Sequence, residues 1–300
     1  MPPDRLVSRS LLRDWGPELQ IIHLVSELRS RLKLLRQDGQ KIALVPTMGA
    51  LHSGHMALIE AARQQAKHVI VSIFVNPRQF GPKEDYGSYP RPADADAALL
   101  ASAKVDLLWM PSVEEMYPSG YSTAVSVAGL DKGLCGAKRP GHFNGVATIV
   151  SKLFNQVRPD FALFGEKDWQ QLTIIRRMTA DLNLGVDVIG VPTVREKDGL
   201  ALSSRNAYLT KAERQAAVTL PIAIKAAITT IESGGAISPA LESVKSRLET
   251  AGFETPDYVT LAGADDLKPM KKLDRPARLL VAARLGKARL IDNMPVNPAL

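Results

Sequence analysis

The apolar run Ile42-Ala43-Leu44-Val45 leads through Pro46-Thr47-Met48-Gly49-Ala50-Leu51 into His52-Ser53-Gly54-His55, where a helical pattern begins. A β-branched strand feeding a helix through a glycine-containing turn is a β–α unit, and it commits this part of the chain to an α/β arrangement. Gly49 and Gly54 allow positive φ or close approach to a ligand. The first N–H groups of a helix lack intrahelical partners, and the helix dipole favours anions there. With two imidazoles able to donate hydrogen bonds, the turn reads as a seat for the polyphosphate of a nucleotide. The competing reading is a turn whose histidines merely cap the helix.

The same alternation continues along the chain. Strands are expected at Ile42–Val45, Val69–Val75, Asp106–Met110, Phe161–Phe164 and Val186–Val191. Helices are expected at Leu24–Arg36, His55–Ala66, Ala93–Ala103, Gly145–Val157 and Asp168–Asn183. Continuous apolar strands separated by helices predict a parallel sheet covered on both faces. Ligands then sit beyond the carboxyl ends of the strands. Polar residues cluster there: Asn76-Pro77-Arg78-Gln79, Gly165-Glu166-Lys167-Asp168 with Gln171 one turn on, and Leu202-Ser203-Ser204-Arg205. Beyond them, helices near Lys211–Ser233 and Pro239–Thr250, a strand at Tyr258–Leu261 and a hairpin turning at Leu285-Gly286-Lys287 predict a second, α+β unit.

With 45% hydrophobic and 23% charged residues, the 300-residue chain has the composition of a globular protein with a full core. Its single cysteine, Cys135, excludes a disulfide framework and a cysteine-based zinc site, and fits a reducing cytoplasm. No apolar run approaches the roughly 18 residues of a spanning helix. Met1–Gln20 holds Arg5, Arg9 and Arg13 but no apolar core, so it is expected to be a poorly ordered extension rather than a secretory signal. The net charge of +7 is spread over both halves of the chain. Lys268–Arg289, the most basic stretch, lacks interleaved aromatics, so base stacking is unsupported and no nucleic-acid partner is expected. Anionic small substrates explain the charge equally well.

There is no P-loop, no Gly-x-Gly-x-x-Gly after the first strand and no Gly-x-Ser-x-Gly around Ser203 or Ser204. What remains is a set of fixed donors suited to a polyphosphate passing through a charged transition state: His52, His55, Lys167, Arg205 and two serine hydroxyls. Nothing in it resembles an enzyme nucleophile, which favours direct attack of a bound substrate on phosphorus. Gln79 and Gln171 suit a hydroxyl or carboxylate, or are simply exposed.

These segments resemble the pantoate–β-alanine ligase (pantothenate synthetase) family. The resemblance rests on Pro46–His55, Val71-Ser72-Ile73-Phe74-Val75-Asn76-Pro77, Tyr89-Pro90-Arg91, Arg139-Pro140-Gly141-His142-Phe143, Phe164–Asp168, Asp198–Asn206 and Leu280–Arg284. The His-x-Gly-His signature alone marks only the wider nucleotidyltransferase superfamily; the ordered set is specific. It implies a Rossmann-like parallel-sheet domain over residues 21–192 and a smaller C-terminal α+β domain over 193–300 that closes on the phosphates, after an extension at 1–20.

The resemblance also implies ATP-dependent, Mg²⁺-assisted condensation of (R)-pantoate with β-alanine through a pantoyl adenylate, in a cytoplasmic homodimer. Catalytic roles fall to His52, His55 and Lys167, with His55 the proton donor. ATP would meet Met48, Gly49, Ala50, Leu51, His52, Ser53, Gly54 and His55. It would also meet Gly165, Glu166, Lys167, Asp168, Val194, Leu202, Ser203, Ser204 and Arg205. Gln79 and Gln171 would take pantoate, Gln79 also β-alanine, with Asn76 and Arg139 in support. Arg78 stands where the family often has Met, and would either alter the pantoate pocket or point to solvent. The acidic cluster that can hold Mg²⁺ in the family is reduced to Asp94 and Asp96, leaving the protein ligands of the metal open. Two other classes fit parts of the pattern: a nucleotidylyltransferase, and a nucleic-acid-binding or tRNA-charging protein.

Overall fold

Short apolar runs alternating with amphipathic helices pair as a six-stranded sheet in the computed structural model, which describes residues 19–82 and 84–298. Its strands are β1 (Gln20–Ile22), β2 (Ile42–Thr47), β3 (His68–Ile73), β4 (Leu107–Trp109), β5 (Phe161–Gly165) and β6 (Asp187–Val191). All pairings are parallel, in the order β1-β4-β3-β2-β5-β6. Seven helices accompany them: α1 (Val25–Leu35), α2 (Ser53–Gln65), α3 (Ala93–Ser102), α4 (Val113–Met116), α5 (Leu134–Lys138), α6 (His142–Val157) and α7 (Trp169–Asp181).

Alternate strand residues face opposite ways, so each strand feeds two cores. Ile42, Leu44, Ile70, Leu107, Ala162 and Phe164 pack with α1, α6 and α7. Their neighbours Ala43, Val45, Val69, Val71, Leu108 and Leu163 pack with α2 and α3. Burial on both faces is why these strands read as unbroken apolar runs.

The strand order reverses at β2, which lies between β3 and β5. β2 stays paired with β3 as far as Thr47–Ile73, but with β5 only through Leu44–Ala162. The carboxyl ends of β2 and β5 therefore splay, opening a crevice at the position where such sheets take ligands.

Past β6, three helices, α8 (Lys211–Ala216), α9 (Thr219–Glu232) and α10 (Ile237–Thr250), pack on an antiparallel sheet. Its strands are β7 (Tyr258–Gly263), β8 (Ala277–Leu285) and β9 (Ala288–Val296). They share a separate core that includes Leu220, Ile224, Val244, Leu248, Leu279 and Val281.

Three expectations change. The extension was expected to reach Gln20, yet Gln20 opens β1 and pairs with Leu107; a three-residue strand carries no periodic signal. Residues 1–18 of that extension lie outside the described residues. The helix expected to begin at Gly145 starts at His142, after Gly141 turns the chain at φ +81°. The helix expected over 211–233 is two. Pro221 has no N–H to give the carbonyl of Ala217, so α9 starts afresh with Pro221 in its first turn.

Candidate active site

A cavity of about 270 Å³ lies in the crevice between β2 and β5. Met48, His52, Gly54 and His55 line it from the turn after β2, and Asn76 and Gln79 from the turn after β3. Gly165 ends β5, Lys167 and Asp168 come from the turn after it and Gln171 from the first turn of α7, while Val194, Leu202, Ser203, Ser204 and Arg205 come from the loop after β6. A parallel sheet thus gathers side chains from positions 48 to 205. A wider cavity of about 620 Å³ shares Lys167, Gln171 and Arg205 and extends to Lys138, Arg284, Lys287 and Arg289. Its cations give anionic substrates a favourable approach.

The two histidines do cap the helix, and that determines their chemistry. His52 Nδ1 accepts from the Gly54 N–H at 3.1 Å, and His55 Nδ1 accepts from the His52 N–H at 3.2 Å. A ring nitrogen that accepts carries no proton, so in each neutral imidazole Nε2 holds the hydrogen. Burial, then the charge of Lys167, lowers the pKa of His52. Burial, then His52 and Lys167, lowers that of His55 to about 3. Both rings line the cavity as neutral Nε2–H donors. The capping reading and the ligand reading are compatible, because capping uses one nitrogen of each ring.

The backbone N–H groups of the turn, expected to be open to an anion, are already bonded. Asp96, 2% exposed in α3, accepts from Ala50 N–H and Leu51 N–H, each at 2.8 Å. Gly49 N–H reaches Thr47 Oγ1 at 3.2 Å. Gly49 and Ala50 both have positive φ, 84° and 51°, which turns successive N–H groups toward the carboxylate. A Cβ on Gly49 would come within 3.0 Å of Asp96 Oδ2. Gly49, Ala50, Leu51 and Ser53 do not line the cavity; they build the turn that presents His52 and His55. Glu166 is likewise turned away, paired with Arg278 at 2.7 Å.

Gln79, 9% exposed, has Nε2 2.9 Å from Met48 Sδ. Its backbone carbonyl accepts from Arg139 and lies 2.8 Å from His142 Nδ1, while Arg139 grips Glu84 with two bonds at 2.6 and 2.7 Å. Burial, then Arg139, lowers the His142 pKa to about 4. Lys167 lies 3.7 Å from Asp168, and Arg205 lies 3.6 Å from Asp85. Arg78 lines neither cavity. Its guanidinium lies over the rings of Tyr117 and Tyr121, and it donates to Thr123 O at 3.1 Å.

A family model for Pantoate-beta-alanine ligase matches residues 20–295. The chain belongs to the pantoate–β-alanine ligase family. It is 55% identical over 279 residues to pantothenate synthetase of Sphingopyxis alaskensis, covering 93% of this chain and all of that one. It is also 55% identical over 281 residues to the Rhizorhabdus wittichii enzyme of that name, covering 94% and 100%. The crystal structure of the Thermus thermophilus pantothenate synthetase superposes with a TM-score of 0.88 at 48% identity, covering 93% of this chain and 100% of that one. A Francisella tularensis pantoate-beta-alanine ligase, complexed with beta-gamma ATP and beta-alanine, gives 0.77 at 36% identity, covering 92% and 97%.

In this ligase-family chain the sequence pattern did not reveal what holds the phosphate-side loops together. Asn293 of β9, 3% exposed, donates to the carbonyls of Glu166 and Lys167 at 2.9 Å each. Asp292, 2% exposed, receives two bonds from Arg195 at 2.7 and 2.8 Å. An Asp-Asn pair inside an otherwise apolar strand was the available signal, because buried polar groups need partners.

Asp94 and Asp96 do not by themselves form a protein seat for Mg²⁺. Among the described residues no three His, Cys, Asp or Glu side chains form a ligand set. Both oxygens of Asp96 accept from the turn, and Asp94 is exposed on α3.

Proposed function

We propose that this chain condenses (R)-pantoate with β-alanine at the expense of ATP, through an enzyme-bound pantoyl adenylate, releasing AMP and pyrophosphate. One observation carries the reading. Neutral Nε2–H donors on His52 and His55 share a cavity with Lys167, Arg205 and two serines, and with the carboxamides of Gln79 and Gln171. The first group suits phosphates and the second a small hydroxy acid.

In the first step a pantoate carboxylate oxygen attacks the α-phosphorus of ATP, and the bond to pyrophosphate breaks. His52 and His55 donate hydrogen bonds to the phosphates as charge builds. Lys167, Ser203, Ser204 and Arg205 hold the departing pyrophosphate. In the second step the β-alanine amine attacks the acyl carbon and AMP leaves with the former carboxylate oxygen. The protein contributes positioning, fixed dipoles and exclusion of water from a mixed anhydride. In the unliganded protein the lowered pKa leaves the His55 ring neutral, with its Nε2–H free to donate to the phosphates. Gln79 and Gln171 hold pantoate, and Gln79 also meets β-alanine.

Mg²⁺ is expected to enter on the ATP phosphates, as is usual for this ion, and to offset their charge there. We assign residues 20–192 to the ATP- and pantoate-binding domain and 193–298 to the lid. A homodimer in the cytoplasm is the expected form; among the described residues no helix is long and apolar enough to cross a membrane.

The test is product release from ATP with pantoate and β-alanine supplied singly and together. AMP, pyrophosphate and pantothenate in equal amounts with both substrates present support the reading. ADP as product, or a product that retains the nucleotide, refutes it.

A further inference from the structure

The orientation of the Gln79 carboxamide is set by a residue outside both cavities. Tyr117, immediately after α4, lines neither of them. Its hydroxyl donates to Asn76 Oδ1 at 2.8 Å. Burial, and then the neighbouring Tyr121, raises the pKa of this phenol, so it keeps its proton at neutral pH.

A chain of donors follows from that proton. Asn76, 1% exposed, must point its oxygen at Tyr117, where the Arg78 N–H also reaches it at 3.3 Å. Its nitrogen then faces the other way, donating to Gln79 Oε1 at 3.2 Å and to the Gly145 carbonyl at 3.1 Å. With Oε1 occupied as an acceptor, Gln79 has its NH₂ group left to turn toward Met48, whose sulfur is only a weak acceptor. The cavity is thereby offered a donor, the polarity that a carboxylate or hydroxyl oxygen needs.

We propose that Tyr117 is a positioning residue for the hydroxy-acid substrate: through Asn76 it fixes Gln79 with its NH₂ group toward that substrate. The proposal rests on the reading that Gln79 takes pantoate. Without the hydroxyl, Asn76 keeps only the long Arg78 N–H contact and the Gly145 carbonyl to hold its amide, and the orientation it imposes on Gln79 is less firmly fixed. Arg78 belongs to the outer wall of this relay. Its guanidinium lies 5.2 Å from the Tyr117 ring centre and 4.9 Å from that of Tyr121, covering the phenol from the solvent side.

Tyr117→Phe removes the hydroxyl and keeps the ring that packs against Phe74 and Tyr121. We expect the KM for pantoate to rise about tenfold, with the KM for ATP and kcat each within about twofold of wild type. In a Gln79→Ala background the same substitution should have no further effect on the pantoate KM, since the group it orients is gone. An unchanged pantoate KM overturns the proposal. So does an equal loss toward ATP and pantoate, a fall in kcat instead, or a full additional effect in the Gln79→Ala background. Wild-type protein assayed alongside separates the two levels. If wild type releases no AMP from pantoate, β-alanine and ATP, the reading of the site fails and the relay with it. If it does and Tyr117→Phe behaves as wild type, the relay alone is wrong.

Discussion

His52 and His55 hold each other in place: the His55 Nδ1 atom accepts the backbone N–H of His52 at 3.2 Å, and the ring centres stand 4.1 Å apart. The contact makes the second histidine a support for the first as well as a ligand in its own right. His55→Ala should therefore remove one phosphate donor and release the other. Loss of a single donor of this kind typically costs about 100- to 1,000-fold in turnover. Adenylate formation at or below the lower figure is expected, with an unchanged circular dichroism spectrum. His142→Asn is the comparison, since His142 lines the same cavity but spends its ring nitrogens on Gln79 O and Arg139; a milder loss is expected there. His55→Ala within about threefold of wild type would remove His55 from the mechanism.

Asp96 is the second anchor of the same turn. Its carboxylate takes the N–H groups of Ala50 and Leu51, and Ala50 sits at φ 51°. Asp96→Ala should leave two N–H groups without acceptors beside a strained residue. A loss of about 3 kcal/mol is expected from two charge-assisted bonds, together with a higher KM for ATP. Urea unfolding measures it: the midpoint should fall while the slope stays constant. A loss below about 0.5 kcal/mol would mean the turn holds its shape without the clamp.

Acid should weaken the fold through its histidines before the carboxylates contribute. His55 and His142 have pKa values near 3 and near 4, and that of His52 is lowered as well. In the unfolded chain each titrates near about 6.5, so below that pH the unfolded state binds protons that the native state refuses. Their contribution to stability is complete above about 6.5 and is lost progressively as pH falls toward the folded values. Urea midpoints measured between about pH 7 and pH 5 should decline, and the His55→Gln/His142→Gln double variant should decline less. Equal slopes in the two proteins would show that these histidines are not held neutral.

Much of this site was legible because it follows strand ends. An apolar run burying both faces marks β2 or β5, and the polar residues just beyond such a run are candidates for the crevice, although Glu166 turns away to Arg278. His52, His55, Lys167, Gln171 and Arg205 could be picked out on that basis. Contacts between residues distant in sequence carried no such mark. Nothing near Asp96 says that its carboxylate will occupy the turn after β2, so that turn looked open to anions. Nothing in the hairpin pattern said which partners Asp292 and Asn293 would take, and they fasten the loops carrying Arg195 and Lys167. The alternation of capping and ligand duties in the two histidines was also invisible, because it depends on which ring nitrogen meets the backbone.

Pantoate is activated by bonding of its carboxylate oxygen to the α-phosphorus of ATP. Pantoate labelled with oxygen-18 in its carboxylate tests this most directly, with ATP and β-alanine present and AMP analysed by mass spectrometry. One labelled oxygen is expected in each AMP formed, because the amine attacks carbon and leaves that oxygen on phosphorus. Unlabelled AMP, or ADP in its place, would contradict it.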